Sequence, residues 1–189
     1  MLKRFLFLLL PMLLAGCVTK PSQTLNPDYP LSQWQFSGKF AIKTPQKRQG
    51  LKIHWQQNGP QFDIKLLTIF GITVLTIEGD EQLVTIEADD GPVKGRSAEQ
   101  LIWQLTGWHI PVNQLQHWLV GEVRDATQIS LTPQGDFKQG TIVDSLNRPW
   151  QLSLGQYKMV QGHKLPHQLR LQRDGSLLKL AINQWQLKQ

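Results

Sequence analysis

The sequence predicts a mainly β fold with a few helices: one large antiparallel sheet, strongly curved or barrel-like, with two helical segments over its concave side. Three observations carry this reading. Apolar and polar residues alternate with period two in runs between residues 32 and 88 and again between 128 and 187. Short clusters of Gly, Pro, Asn and Asp separate those runs, and the period becomes helical only between residues 96 and 123.

Residues 32–43, SQWQFSGKFAIK, place Trp34, Phe36, Gly38, Phe40 and Ile42 on one side and mostly polar residues on the other, the pattern of a strand with one apolar face. The turn TPQKRQG leads to a second run with Leu51, Ile53 and Trp55 on one face. Asn58-Gly59-Pro60 stops it, and Phe62, Ile64 and Leu66 repeat the pattern, so the three runs form a meander. Residues 72–78, a turn at Gly79-Asp80 and residues 83–88 extend it until Asp89-Asp90-Gly91-Pro92 breaks the pattern. Further strands are expected at 128–131, 137–143, 150–154 and 167–172, the last turning at Asp174-Gly175 into a hairpin with 177–187. In that final run Leu178, Leu180 and Ile182 share a face, whereas Trp185 and Leu187 have the opposite parity. A bulge near Asn183 or Gln184 follows.

In the helical segment, Ser97 and Gln100 have capping-box spacing, and Leu101, Ile102 and Leu105 make an apolar stripe before Gly107 ends the helix. Pro111 suits the first turn of a second helix that carries Val112, Leu115, Trp118 and Leu119 and closes at Gly121. Both helices need an apolar surface, and the concave side of the sheet provides one. A curved sheet with aromatic and aliphatic residues inside, half plugged by helices, is also a way to build an acyl-chain cavity. Candidate lining residues are Trp34, Phe36, Phe40, Trp55, Leu101, Leu105, Trp118 and Trp150. At this level a filled core and a hollow one both remain open.

The first residues carry a different signal. Lys3 and Arg4 precede an apolar run, residues 5–15, too short to span about 30 Å of hydrocarbon. These are the parts of a secretory signal peptide. Leu14-Ala15-Gly16-Cys17 resembles the bacterial lipobox, so the only cysteine of the chain is expected to carry lipid and to become the first residue once 1–16 are removed. Val18, where Asp would favour the inner membrane, points to the outer membrane. The polar stretch VTKPSQTLNPDYP makes residues 17–30 a lipidated N-terminus and flexible tether, and 31–189 one domain.

Removing residues 1–16 from the 189 leaves 173 residues, with 18 of the 20 basic residues against 14 acidic ones. The densest basic pair, Lys47-Arg48, lies in a turn-like stretch and reads as a solvated loop, not as a nucleic-acid site. Weak attraction to anionic lipid headgroups is compatible with this balance. No GxSxG, P-loop, dinucleotide or HExxH motif occurs. His163 and His167 have helical metal spacing, but Pro166 between them opposes a helix, so neither metal nor cofactor is expected.

The segments SAEQLIWQLTGWHIPVNQLQHWLVGE, WQFSGKFAIK and LAINQWQL together resemble the LolB family of outer-membrane lipoproteins. LTGWHIPVNQLQHWLVG matches that family's LTG-x-x-IP-x-x-x-L-x-x-W-x-x-G stretch position by position. The resemblance implies an unclosed antiparallel β-barrel plugged by helices. It also implies a non-enzymatic role: accepting triacylated lipoproteins from the periplasmic carrier LolA and inserting them into the outer membrane. Implied with this are a lipid anchor on Cys17 at the periplasmic face, contact with outer-membrane phospholipid, and a monomer. Where homologues carry Pro-Leu-Gly or Pro-Phe-Gly with the apolar residue in solvent, this chain has Thr68-Ile69-Phe70-Gly71. Ile69, Phe70 and Gly71 are therefore the expected membrane-insertion loop. The alternative is an accessory outer-membrane lipoprotein with a filled core and no transfer activity.

Overall fold

The computed structural model describes residues 31–124 and 126–188. The expectations for the signal peptide, Cys17 and the tether lie outside the described residues. Five alternating segments become strands close to where the pattern puts them: β1 (Gln33–Lys43), β2 (Arg48–Asn58), β3 (Gln61–Leu67), β4 (Thr73–Gly79) and β5 (Val84–Ala88). β6 (Gly91–Gly95), α1 (Ala98–Thr106) and α2 (Val112–Leu119) follow. The chain then returns through β7 (Thr127–Leu131), β8 (Phe137–Val143), β9 (Pro149–Gly155), β10 (Lys158–Val160), β11 (His163–Leu165), β12 (Gln168–Arg173) and β13 (Ser176–Leu187).

Eleven strands form one curved antiparallel sheet in the order β6-β5-β4-β3-β2-β1-β13-β12-β9-β8-β7. β6 and β7 are its edges and do not pair with each other, so the barrel stays open. In β1 burial alternates strictly from Trp34 through Ile42, so every second residue enters the core and its neighbours face outward. Trp34, Ile86, Ile102, Leu119, Leu152 and Leu171 are among the most completely enclosed side chains.

The parity change in the last run is resolved as expected. Ser37 lies opposite Gln184 and Gly38 opposite Ile182, so Asn183 is the extra residue of a bulge, and Trp185 and Leu187 return to the inner face. The bulge draws the two backbones together. A Cβ on Gly38 would stand 2.4 Å from the carbonyl oxygen of Ala181.

Both helices appear, with α1 capped as the spacing suggests: Ser97 Oγ accepts from the Gln100 N–H, and Gly107, at φ 70°, ends the helix in the left-handed conformation. Pro111 sits one position earlier than expected, at the N-cap of α2. Leu105 is a correction. It was expected on the buried stripe but is 39 % exposed, because α1 packs against β5, β6 and α2 through Ala98, Leu101 and Ile102, leaving its last turn uncovered. The Asp89-Asp90-Gly91-Pro92 break in the alternating pattern leads directly into β6. Pro92 lacks an N–H but occupies an edge strand, where only one side of the backbone must pair. The β10–β11 hairpin has three residues per strand, too few for alternation to register.

Gly38→Ala is expected to cost about 1 to 3 kcal/mol and lower the thermal midpoint by roughly 3 to 10 °C. Gly50→Ala, in the neighbouring strand, should leave the midpoint unchanged or slightly raised, since a Cβ there meets nothing within 4 Å. Differential scanning calorimetry of the two variants checks both outcomes.

Candidate functional site

The inner face converges on aromatic rings. Trp34 lies 6.0 Å from Phe36, 5.7 Å from Trp55 and 5.4 Å from Trp185 between centroids, and Phe36 lies 5.2 Å from Trp185. Phe40 meets Trp108, from the connection between the helices, at 5.9 Å. Of the lining residues read from the sequence, Trp34, Phe36, Phe40, Trp55, Leu101, Trp118 and Trp150 all join one core, and Leu105 does not. In this closed arrangement the rings fill the space between them. A polar relay joins this interior to the roof: Trp55 Nε1 donates to Gln57 Oε1 at 3.0 Å, and Gln57 Nε2 donates to Gln116 Oε1 of α2 at 2.6 Å.

A second cluster clamps the other helix. Asp144, in the turn between β8 and β9, has a fully buried side chain that accepts from Arg148 Nε at 2.6 Å and Trp150 Nε1 at 3.0 Å. Arg148 pairs with Glu99 of α1 and donates to His109 Nδ1 at 3.0 Å, while Ser145 Oγ donates to Glu99 Oε2 at 3.0 Å. Arg173 of β12 stands 3.7 Å from Asp144 and 4.8 Å from the Trp150 ring. The members are spread over residues 99–173. Only the Asp144/Arg148 spacing in DSLNRPW hints at the cluster, and the sequence reading missed it.

The electrostatics follow from the donors. Burial would raise the Asp144 carboxyl, but hydrogen bonds from Trp150 and Arg148 outweigh it and hold the group below its ordinary 3.8. Arg148 can only donate, so His109 Nδ1 must present a lone pair and the ring is neutral. Burial, then the charges of Arg148 and Arg173, keep His109 below its ordinary 6.5.

At the β3–β4 connection the apolar residues turn outward: Ile69 is 69 % exposed, Phe70 85 % and Ile72 66 %. The loop is nevertheless tied. Gly71 N–H donates to the Thr68 carbonyl at 3.0 Å, Thr68 N–H to the Ile72 carbonyl at 2.8 Å, and Ile72 N–H to Thr68 Oγ1 at 3.2 Å. Gly71 sits at φ +87°, where a side chain would be strained. Three hydrogen bonds on Thr68 hold the tip in place.

The open antiparallel sheet with its helices has counterparts among known proteins. The family model described as outer membrane lipoprotein LolB matches residues 32–185. The chain belongs to the LolB family. Outer-membrane lipoprotein LolB of Aeromonas salmonicida (strain A449) is 36 % identical over 185 residues, 93 % of this chain and 92 % of that one. The protein of the same name from Shewanella baltica (strain OS155) is 34 % identical, covering 93 % and 85 %. Among solved structures, a LolA superfamily protein from Nitrosomonas europaea superposes with a TM-score of 0.56 at 9 % identity over 85 % of this chain and 88 % of its own. A DUF1329 family protein from Desulfovibrio piger also gives 0.56, at 8 % identity over 83 % and 86 %. These two likenesses concern the fold alone. Among the described residues no group of three His, Cys, Asp or Glu is placed to hold a metal, and no helix is long and apolar enough to cross a membrane.

Two titrations test the cluster that LolB-family helix α1 rests on. His109 is depressed, so its contribution is complete above 6.5 and fades as pH falls through its folded value; Asp144 is depressed, so its contribution is lost only below 3.8. Urea midpoints against pH should therefore fall in two steps. Asp144→Asn removes the carboxylate shared by Arg148 and Arg173, leaving Arg148 with Glu99 and Arg173 with Asp174; it should cost about 1 to 3 kcal/mol at neutral pH and reduce the lower step, to which Asp80 and Asp136 also contribute.

Proposed function

We infer that this chain is the acceptor of its family: acyl chains of lipoproteins pass from the soluble carrier into its apolar interior and then into the outer membrane. The observation that carries this is the attachment of the roof. Among the described residues no backbone hydrogen bond joins α1 or α2 to a strand, so the helices can leave the aromatic interior by giving up side-chain contacts alone. Trp34, Phe36, Phe40, Trp55, Leu101, Trp118 and Trp150 then become the cavity wall, with Leu105 and the exposed Trp103 at its rim.

The physical need is large. Exposing about forty methylenes of a triacylated protein to water costs roughly 30 kcal/mol, a barrier that forbids free diffusion. An apolar cavity placed against the carrier's cavity lets the chains exchange one dry environment for another, with no covalent chemistry and no cofactor. Cys17 carries the lipid that holds the protein at the periplasmic face of the outer membrane. Residues 17–30 are the tether, and a monomer suffices. Phe70 leads the approach to phospholipid, with Ile69 beside it and Gly71 setting the turn. The reading of a static, filled core has the close ring packing in its favour but leaves the solvent-facing Phe70 without a role.

Cysteines at Glu99 and Ser145, whose side chains touch, should block uptake of labelled lipoprotein from the carrier when bridged by a short bifunctional thiol reagent. The unbridged variant should accept cargo. Uptake at an unchanged rate with a verified bridge would show that α1 does not open. Phe70→Glu should leave the thermal midpoint and acceptance from the carrier intact while cargo accumulates undelivered. Losing the roughly 1.5 to 3 kcal/mol of an inserted Phe shortens bilayer contact by one to two powers of ten. Phe70→Leu should retain most delivery, measured as transfer of labelled lipoprotein to vesicles.

A further inference from the structure

The outer face of the four central strands β2, β1, β13 and β12 contains no carboxylate, while seven of the 14 acidic residues fall in residues 63–90. On that face three like-charged pairs stand directly opposite one another: Lys39 with Lys52, Lys43 with Arg48, and Arg170 with Lys179. Such pairs are unfavourable in isolation. None of the six cations has an ion-pair partner among the described residues, and all six are exposed. Lysine often protects sheet edges from further pairing, but these strands lie in the middle of the sheet, where no edge needs protecting.

Between the first two pairs the side chains vanish. Ala41 lies opposite Gly50 on one side and Lys179 on the other, and an open depression of about 540 Å³ is lined here by Ala41, Lys43, Arg48, Gly50, Leu177 and Lys179. Gly50 has no conformational or steric need to be glycine, since a Cβ would meet nothing within 4 Å. The result is a small-residue floor ringed by cations, open enough to admit a lipid headgroup and of the charge that attracts its phosphate. Its place is informative as well: Lys52 is opposite Leu67, the residue that precedes the exposed Thr68–Ile72 loop, so floor and apolar tip share one end of the sheet.

We propose that this face docks on the phosphate headgroups of an anionic bilayer, with lipid phosphate seated over Ala41 and Gly50, and so fixes the orientation in which Phe70 meets the membrane. The proposal deepens the reading of Phe70 as a membrane-contact residue and rests on it. A bilayer fits better than an acidic protein because the cations are spread over four strands beside an apolar tip, which is how a headgroup layer above hydrocarbon presents itself. The carboxylates toward β4 and β5 are repelled by the same surface, leaving one favoured orientation.

The test uses the full lipidated chain in vesicles. With the Cys17 thiol held as a thioether, a cysteine introduced at the exposed outer-face position Gln172 is the one free thiol, and a second reactive thiol would expose a failure of the anchor reading separately. A fluorophore there should be quenched by headgroup-labelled lipid in phosphatidylcholine vesicles containing about one quarter phosphatidylglycerol, and not in phosphatidylcholine alone. The triple variant Lys39→Gln, Lys52→Gln, Lys179→Gln should lower the docked-to-undocked ratio about 100-fold without lowering the thermal midpoint. Salt at about 0.5 M, which shortens screening to about 4 Å, should do the same. Gly50→Gln, filling the floor, should weaken docking while keeping every charge. Equal quenching in both vesicle types, or quenching that survives the triple variant, overturns the proposal. Loss of quenching on adding inorganic phosphate at constant ionic strength overturns it in favour of a free-phosphate site. A triple variant that still docks but no longer accepts cargo from the carrier overturns it in favour of a protein-binding face. Transfer failing in the parent chain while its anionic-lipid response persists would count against the acceptor reading and leave this face standing.

Discussion

A sheet that curves without closing leaves an apolar concavity that no strand can finish, and the rest of this molecule is organised around covering it. Ring closure would satisfy both edges by hydrogen bonding. Here β6 and β7 remain apart, and the missing wall is made of two helices with small apolar stripes. The bulge at Asn183 belongs to the same problem, because without it Trp185 and Leu187 would point outward and the ring cluster around Trp34 would lose a side.

The helices are held in two chemically different ways. Apolar contact through Ala98, Leu101, Ile102, Val112, Leu115 and Trp118 provides most of the free energy and has little directional preference. The charged cluster around Asp144 adds direction. A buried ion pair gains little net stability over a hydrophobic equivalent, but breaking one half is costly, so it specifies one closed position for α1 instead of a range of nearby ones. A roof fixed only by grease would slide; one fixed only by charge would not cover the rings.

Most of the sheet was legible because period two survives wherever one face is buried, and even the bulge followed from the parity of Trp185. What escaped did so for local reasons. β6 is short, edge-located and carries Pro92, and the strands of β10–β11 are each shorter than one full alternation can reveal. Leu105 obeyed helical spacing, but spacing says which face a residue takes, not whether the opposing surface extends that far. The apolar tip at Phe70 stood out through its resemblance to relatives, whereas the Asp144 cluster and the cation rows on β1, β2, β12 and β13 arise from register between segments far apart in sequence. The Lys47-Arg48 pair had looked like part of an ordinary solvated turn. Only strand pairing shows that Arg48 faces Lys43 next to a second cationic pair.

The attachment of the roof has a spectroscopic corollary. If α1 and α2 swing away intact, every ladder and helical hydrogen bond persists, and the change leaves the backbone circular dichroism flat. The indole rings of Trp34, Trp55 and Trp185, packed against one another, and Trp118 on α2 would exchange their surroundings in the same event. Opening in this fold is thus silent to the backbone and visible to the near ultraviolet, with the chain supplying its own chromophores at the place where cargo would arrive.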